Sequence, residues 1–465
     1  MTQTMVSLTS AVLHRDTRFI PKKAIGGKGS YIFLEDGQKV LDSTGGAAVS
    51  CLGHGNEKVQ RALIKQMNEL SYCHSAFFGT KASEDLARLL VDSTGGKLSK
   101  LYVASSGFYS LSFLSGSEAV EAALKLSRQY YLELPTPQPQ RTRFISRRPS
   151  YHGITLGALG AGGNFLRREP FEPLLAQNIS HVSPCFAYRG KNEGESDEDY
   201  VTRLAAELDA EFQRVGPDTV CAFIAEPVVG ASLGCVPALP GYFKAMKSVC
   251  ERYDTLLILD EVMSGMGRCG TLHAWEQEDV VPDIQTIAKG LGGGYAPVAG
   301  VLIGDRIVQA LDKGTGAFRH VQTYQGHPIA CAAALAVQRV IQEENLLENV
   351  RDMGAYLERG LKQRVSGHPN VGDIRGKGLF WGIEFVKDKT TKEPFDPAMC
   401  IAARVLETGL SPGYNISLYA GGGTVDGVQG DHVLLAPPYN VSKEEVDFII
   451  DTTVRVVEDV FRGIN

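Results

Sequence analysis

Lys289 and Asp260 are the two side chains in this 465-residue chain whose types and settings say most about chemistry. Lys289 follows the apolar run Ile284-Gln-Thr-Ile-Ala and precedes Gly290-Leu-Gly-Gly-Gly294, and 29 residues upstream Asp260 closes Leu256-Leu-Ile-Leu. Both runs read as strands, so both groups sit at strand ends. A lysine alone after an apolar run says little. A lysine at one strand end with an acid at another is what pyridoxal 5'-phosphate (PLP) chemistry needs. The amine forms a Schiff base, and the acid keeps the pyridine nitrogen protonated so that the ring can act as an electron sink. Strand carboxyl ends are also where α/β sheets place their sites.

Four other segments carry weaker signals. Ser115-Gly116-Ser117-Glu118 has capping-box spacing and precedes an amphipathic helix with Ala119, Ala122, Ala123, Leu126 and Tyr130 on one face. Free N–H groups at such a terminus suit a phosphate, though a plain capped helix would look the same. Tyr151-His152-Gly153 follows the strand-like run Phe144–Ser146, and its aromatic could stack on a planar cofactor or simply pack. Glu226-Pro227 ends the run Val220–Ala225, where proline stops the strand and the acid projects from its end. Arg375 stands among glycines and apolar residues; its planar guanidinium suits a carboxylate, and a solvated loop arginine is the alternative. Gly265-Met-Gly267-Arg-Cys-Gly270 matches G-x-G-x-x-G, but five residues separate it from the strand and no acid follows at the expected distance, so it is not a dinucleotide fingerprint. The ten histidines lack ligand spacing, so no metal is expected.

The elements that must position these groups can be read from periodicity. Residues 26–50 read as a hairpin about Asp36-Gly37. Residues 56–70 have helical spacing, with Val59, Leu63, Met67 and Leu70 on one stripe. From about 100 to 305 short apolar runs alternate with helical segments, which predicts an α/β fold with a mostly parallel sheet covered by helices. An Ala-rich helix from Ala330 to about Glu344 leads out of that region, and the remainder reads as a smaller α+β domain.

Composition is that of a water-soluble globular protein: 43% hydrophobic and 22% charged residues. A net charge of −6 with no long basic run argues against a nucleic-acid partner. No apolar stretch approaches the roughly 20 residues a membrane helix needs. Nine scattered cysteines without a Cys-x-x-Cys read as reduced thiols, which favours the cytoplasm. Arg15, Arg18, Lys22 and Lys23 with a single acid, Asp16, give residues 1–23 a mild transit-peptide character, so a mitochondrial location is the alternative.

Taken together, the segments resemble the class III PLP-dependent aminotransferases, the family of ornithine, acetylornithine, γ-aminobutyrate and ω-amino acid transaminases. The resemblance runs from Leu13-His14-Arg15 to Ala436-Pro437-Pro438. It is most specific over Asp260-Glu-Val-Met-Ser-Gly-Met-Gly-Arg268, then Lys289, then Thr323-Tyr-Gln-Gly-His-Pro328. It implies PLP-dependent transferase fold type I, with residues 56–330 as the large PLP domain and residues 1–55 and 331–465 as the small one. It also implies a homodimer with shared sites. Lys289 resembles the Schiff-base lysine and proton shuttle, and Asp260 the pyridine-nitrogen partner. Val262 is similar to the apolar contact under the ring and Tyr151, beside His152, to the stacker above it. Gly116 and Ser117 resemble phosphate binders, joined by Thr323 from the neighbouring subunit. Arg375 resembles the clamp for the α-carboxylate, and Glu226 the acid that pairs with it when the substrate offers no carboxylate there. The segment Leu70–Phe78, with Tyr72 and Phe77, resembles the family's aromatic pocket mouth.

The implied activity is transfer of an amino group from an ω-amino acid, amine or amino acid to an α-keto acid. Another PLP reaction on the same fold (an aminomutase, racemase or decarboxylase) is the alternative, and a degenerate dimer without activity a remote one. One departure stands out. The nine residues Phe108–Gly116 look inserted between strand and phosphate helix, so that either Gly107 or Gly116 could abut the phosphate. The insert is too apolar for a solvent loop, and it is expected to pack against the large domain or the dimer partner while Gly116-Ser117 keep the phosphate role.

Overall fold

The computed structural model describes residues 10–14, 16–105 and 115–464. Its centre is a seven-stranded sheet in the spatial order Lys100–Ala104, Ala299–Ile303, Ile284–Ile287, Leu256–Asp260, Val220–Ala225, Arg143–Arg147, Ile179–Val182. Neighbouring strands run parallel except at Ala299–Ile303, which is antiparallel to the strands on both its sides. Every residue of Val220–Ala225, Leu256–Asp260 and Ile284–Ile287 is buried. This is why these strands read as unbroken apolar runs rather than as alternating ones: helices cover both faces. Helix Ser115–Glu133 lies on one face through Ala119, Ala122, Ala123, Leu126 and Tyr130, all buried as the spacing requires. Helices Asp197–Val215 and Tyr242–Arg252 cover the other through Leu204, Leu208, Phe212, Phe243 and Met246.

A second core lies beside the sheet. Leu41, Cys51, Leu52 and Val59 pack there with Val350, Leu357, Phe385, Val405, Val433, Ile449 and Phe461. It is built on the four strands ordered Val371–Lys377, Phe380–Phe385, Asp431–Leu435, Tyr419–Gly422, backed by helices Leu346–Arg364, Ile401–Leu410 and Lys443–Arg462. Helix Pro328–Glu343 ties the two regions together: Ala330, Cys331 and Ala334 pack beside Leu86 and Ile287, whereas Val337, Val340 and Ile341 belong to the second core. The N-terminal hairpin forms as read, with Tyr31–Leu34 and Lys39–Leu41 joined across Asp36-Gly37 and Gly37 at φ 85°. Helix Glu57–Glu69 buries only Val59 of its apolar stripe, and Met67 and the following Leu70 are exposed.

Of the insert Phe108–Gly116, residues 108–114 lie outside the described residues, as does Gly107. Beyond them, Ser115 is already the first residue of the helix, and Glu118 Oε2 is buried without a hydrogen-bond partner among the described residues. Burial pushes the Glu118 carboxyl up to about 7. The G-x-G-x-x-G segment is a run of turns with no helix directly behind it, and Gly267 and Gly270 sit at φ 101° and 99° against Tyr439 and Arg351 of the second core.

Candidate active site

The parallel strands present their carboxyl ends to one edge of the sheet, and the residues that follow them converge there. Asp260 ends its strand with a carboxylate that is almost fully buried and held at three points. His152 Nδ1 lies 2.7 Å from Oδ2, while the Val262 amide and the Thr286 hydroxyl each donate to Oδ1 at 3.1 Å. Thr286 faces Asp260 directly in strand register. It had no place among the site residues expected from sequence. The signal was present, because Gln285 and Thr286 are polar residues inside a wholly buried strand and such groups must find partners. Gln285 finds Trp275 and Glu261.

Lys289 begins a short 3₁₀ turn after Ile284–Ile287 and takes φ 37°, a left-handed conformation that costs a β-carbon-bearing residue on the order of 1 kcal/mol or more. No carboxylate of the described residues forms an ion pair with it. Burial lowers its amine from 10.5 to about 8; Asp260 and Glu226 pull the other way, and the nearby Arg167 charge adds to the lowering. The result is a strained, poorly solvated lysine that releases its proton at about pH 8 rather than above 10.

Tyr151 and Glu226 are coupled. The Tyr151 amide donates to Glu226 Oε1 at 3.0 Å and the Gly230 amide to Oε2 at 3.1 Å. Burial raises the Glu226 carboxyl above its ordinary range. Glu226 thus fixes the backbone of the Tyr151 loop. At the start of helix Ser115–Glu133, a Cβ on Gly116 would stand 2.9 Å from Val262 Cγ1, and one on Gly153 would stand 2.4 Å from Ser117 Oγ. The Ser117 hydroxyl accepts the Ile154 amide at 3.1 Å. Gly116, Ser117, Gly153 and Val262 therefore form one tight cradle. Gly153 is at φ 132°, so both conformation and space demand glycine. Gly153→Ala is expected to weaken cofactor binding by about tenfold or more, read by fluorescence titration of the cofactor into the cofactor-free protein.

Tyr72 and Thr323 are brought together, the Tyr72 hydroxyl donating to the Thr323 carbonyl at 2.9 Å, with the Tyr324 ring 5.7 Å away. Thr323 itself is exposed, and Phe77 is 76% exposed.

Arg375 requires a correction. It was expected to clamp a substrate carboxylate and to pair with Glu226. The guanidinium is instead buried and committed to the protein: Nη1 contacts Asp373 at 2.9 Å and Glu384 at 2.7 Å, Nε donates to the Gly234 carbonyl at 2.9 Å, and Nη2 donates to that of Leu233. Phe186 covers it, with the ring centre 4.7 Å from the guanidinium carbon. Arg375 and Glu226 form no ion pair. The arginine that stands at the site is Arg167, whose guanidinium carbon lies 4.8 Å over the Tyr151 ring. Arg167 was not among the residues singled out from the sequence, and the arginine beside it has a different fate. Arg168 is the structural one, donating to the Gly160 and Gly162 carbonyls and to Glu172.

These residues fit PLP. Lys289 would hold its aldehyde carbon and Asp260 its pyridine nitrogen, with Tyr151 and Val262 at the ring and Gly116 and Ser117 at the phosphate; bound there, the cofactor would supply the electron sink. His152 Nε2 is buried without a partner among the described residues, as expected where a further group belongs. Among the described residues no group of three or more His, Cys, Asp or Glu side chains is placed to hold a metal ion.

Comparison with known proteins agrees. Residues 12–457 match the family model "Aminotransferase class-III". An aminotransferase of Gibberella zeae is 53% identical over 438 residues, covering 94% of this chain and 84% of that protein. Among solved structures, a thermostable (S)-enantioselective omega-transaminase from Thermomicrobium roseum superposes with a TM-score of 0.87 at 34% identity, covering 98% of this chain and 96% of that one. The omega transaminase from Pseudomonas jessenii in complex with PMP gives 0.85 at 30% identity, covering 95% and 93%. The strand-end lysine and aspartate, the cradle about Gly116 and these likenesses have one meaning: the chain belongs to the class III aminotransferases, PLP-dependent enzymes of fold type I that carry out transamination.

Proposed function

We propose that the protein moves the amino group of an ω-amino acid, amine or amino acid to an α-keto acid, as a homodimer whose two sites share residues. The observation that carries the site assignment is Lys289, a lysine with an amine lowered to about 8 at a strand end beside a clamped aspartate. Near neutral pH an appreciable share of that amine is free to accept a proton, as a general base requires. Lys289 then takes the proton from the substrate carbon and returns it during product formation. Asp260 is kept in place by Thr286 and His152, and Glu226 keeps the Tyr151 loop in place. Gly116 and Ser117 bind the phosphate, joined by Thr323 of the partner subunit.

The omega-transaminase neighbours favour an ω-amino donor. The dimer has support from the surface, where Tyr72, Phe77, Phe78 and Val321 are exposed within the two segments joined by the Tyr72–Thr323 hydrogen bond. The small domain we assign comprises residues 1–55 and 331–465, and the large one 56–330. The nine free cysteines, most of them buried, are compatible with a reducing, cytosolic compartment. Among the described residues no helix is long and apolar enough to cross a membrane.

The test is a panel of amines and amino acids incubated with pyruvate or 2-oxoglutarate. Alanine or glutamate is expected in amounts equal to donor consumed, with none formed when the acceptor is omitted. Product formed without acceptor would replace the transaminase by an aminomutase, racemase or decarboxylase.

A further inference from the structure

Arg167 is the one cation over the Tyr151 ring among the described residues, and it makes no ion pair with any carboxylate among them. Its neighbour Arg168 is saturated by carbonyls and Glu172, so the two adjacent side chains have opposite fates. Tyr151, on whose face Arg167 lies, is fixed by Glu226 through its amide. The helix Phe165–Arg168 is capped by Asn164, which accepts the Arg167 amide, and the glycine-rich segment that follows Tyr419–Gly422 touches it at Phe165. Gly427 in that segment, at φ 93°, lies so close to Phe165 that a Cβ there would stand 2.9 Å from Phe165 Cβ. Tyr151 adjoins His152, whose ring meets Asp260, so the guanidinium stands over the aromatic next to the clamped carboxylate.

Resting on the transaminase reading above, we infer that Arg167 binds the substrate carboxylate, and that it does so for donor and acceptor alike. A planar fork stacked on a fixed aromatic is pre-organised for a carboxylate. An α-amino donor and an α-keto acceptor both carry this group on the reacting carbon itself, so for such a pair a single stationary guanidinium serves both halves of the reaction. No arginine has to swing between a substrate and an internal acid, a role for which Arg375 is bound too firmly. The preferred donors are therefore amino acids, and an amine lacking the carboxylate is a poor substrate.

The test compares holoenzymes of the wild type, Arg167→Met and Arg167→Lys. Two donor pairs differ only by a carboxylate: 4-aminobutyrate with n-butylamine, and alanine with ethylamine. Single-turnover kinetics followed by cofactor absorbance give the discrimination within each pair. Calorimetry with butyrate, an unreactive carboxylate, gives binding alone, on both holoenzyme and cofactor-free protein. Arg167→Met is expected to reduce the preference for the carboxylate member of at least one pair by roughly 10- to 100-fold and to weaken butyrate binding by a like factor. Arg167→Lys restores part of both, since it keeps the charge and loses the fork. An equal loss for both members of each pair would make Arg167 a support for Tyr151 only. Unaltered butyrate binding with unaltered discrimination would place the carboxylate site elsewhere. Either result overturns the assignment while leaving the enzyme a transaminase, whereas a wild-type holoenzyme that transfers no amino group from any donor removes the reading beneath it.

Discussion

Lys289→Ala lowers kcat for amino transfer by at least about 10³-fold, because it removes the side chain we assign to moving the proton at the reacting carbon. The same change stabilises the cofactor-free protein. Wild type must bury an amine whose charged form is disfavoured, since its pKa falls from 10.5 in the unfolded chain to about 8 in the fold. Below pH 8 both states hold the proton and the whole penalty is present. Between about 8 and 10.5 the unfolded chain keeps a proton that the folded one has released, so folding becomes more favourable as pH rises. The penalty is on the order of 3 kcal/mol. Thermal melts of the two cofactor-free proteins are expected to differ clearly at pH 7.5, the variant melting higher, and to draw together by pH 10. A constant gap across that range would mean that the amine is not desolvated, and turnover within tenfold of wild type would remove Lys289 from the chemistry.

The second large effect is on stability and falls on Arg375. Its partner Glu384 is fully buried and is gripped also by Arg189, whose Nε donates to it at 2.6 Å. Arg375→Met leaves Glu384 and Asp373 short of a cation and the Leu233 and Gly234 carbonyls short of donors. Breaking one side of such a network costs about 3–5 kcal/mol. Denaturant titration should register this loss, and adding Glu384→Gln should recover part of it, because the two residues interact and their effects are not additive. The KM of a carboxylate-bearing donor, per folded enzyme, is expected to stay at the wild-type value. A variant of undiminished stability with a KM raised tenfold or more would return Arg375 to the role of substrate clamp.

The contrast between Arg375 and Arg167 shows what could be read from residues alone. Strands with both faces buried are visible as apolar runs, and a lysine or aspartate at their ends inherits a position from the sheet rule; hence Lys289, Asp260, Glu226 and the Tyr151 loop converge where expected. The helix start after Ser115 was legible because helix starts have a composition, whereas the approach of Val262 and Gly153 to Gly116 and Ser117 was not. An arginine has no such rule. Five donors on a long stem can meet carbonyls from any segment the fold brings near, and the carbonyls that hold Arg375 belong to residues 233 and 234, about 140 positions away. The short helix that carries Arg167 likewise meets a distant segment, at Gly427. Long-range contacts of this kind leave no local pattern. Thr286 was the opposite case: a polar residue in a buried strand announces a partner, and only the partner's name was missing.

The second core has a consequence for biosynthesis. The Leu41 amide donates to the Asn415 carbonyl, the Ser417 amide donates to the Leu41 carbonyl, and Leu41 bridges Ile416 in parallel. At ribosomal rates of about 5–20 residues per second, roughly 20 seconds or more separate the emergence of the hairpin from that of its partners. During that interval the strand Lys39–Leu41 and the apolar groups of Cys51, Leu52 and Val59 have nothing to close upon. The central sheet, whose strands all lie between residues 100 and 303, can assemble earlier. The nascent chain thus carries an open apolar segment ahead of a folding body, a state that chaperones recognise and that makes the yield of this enzyme sensitive to how quickly its last hundred residues are made.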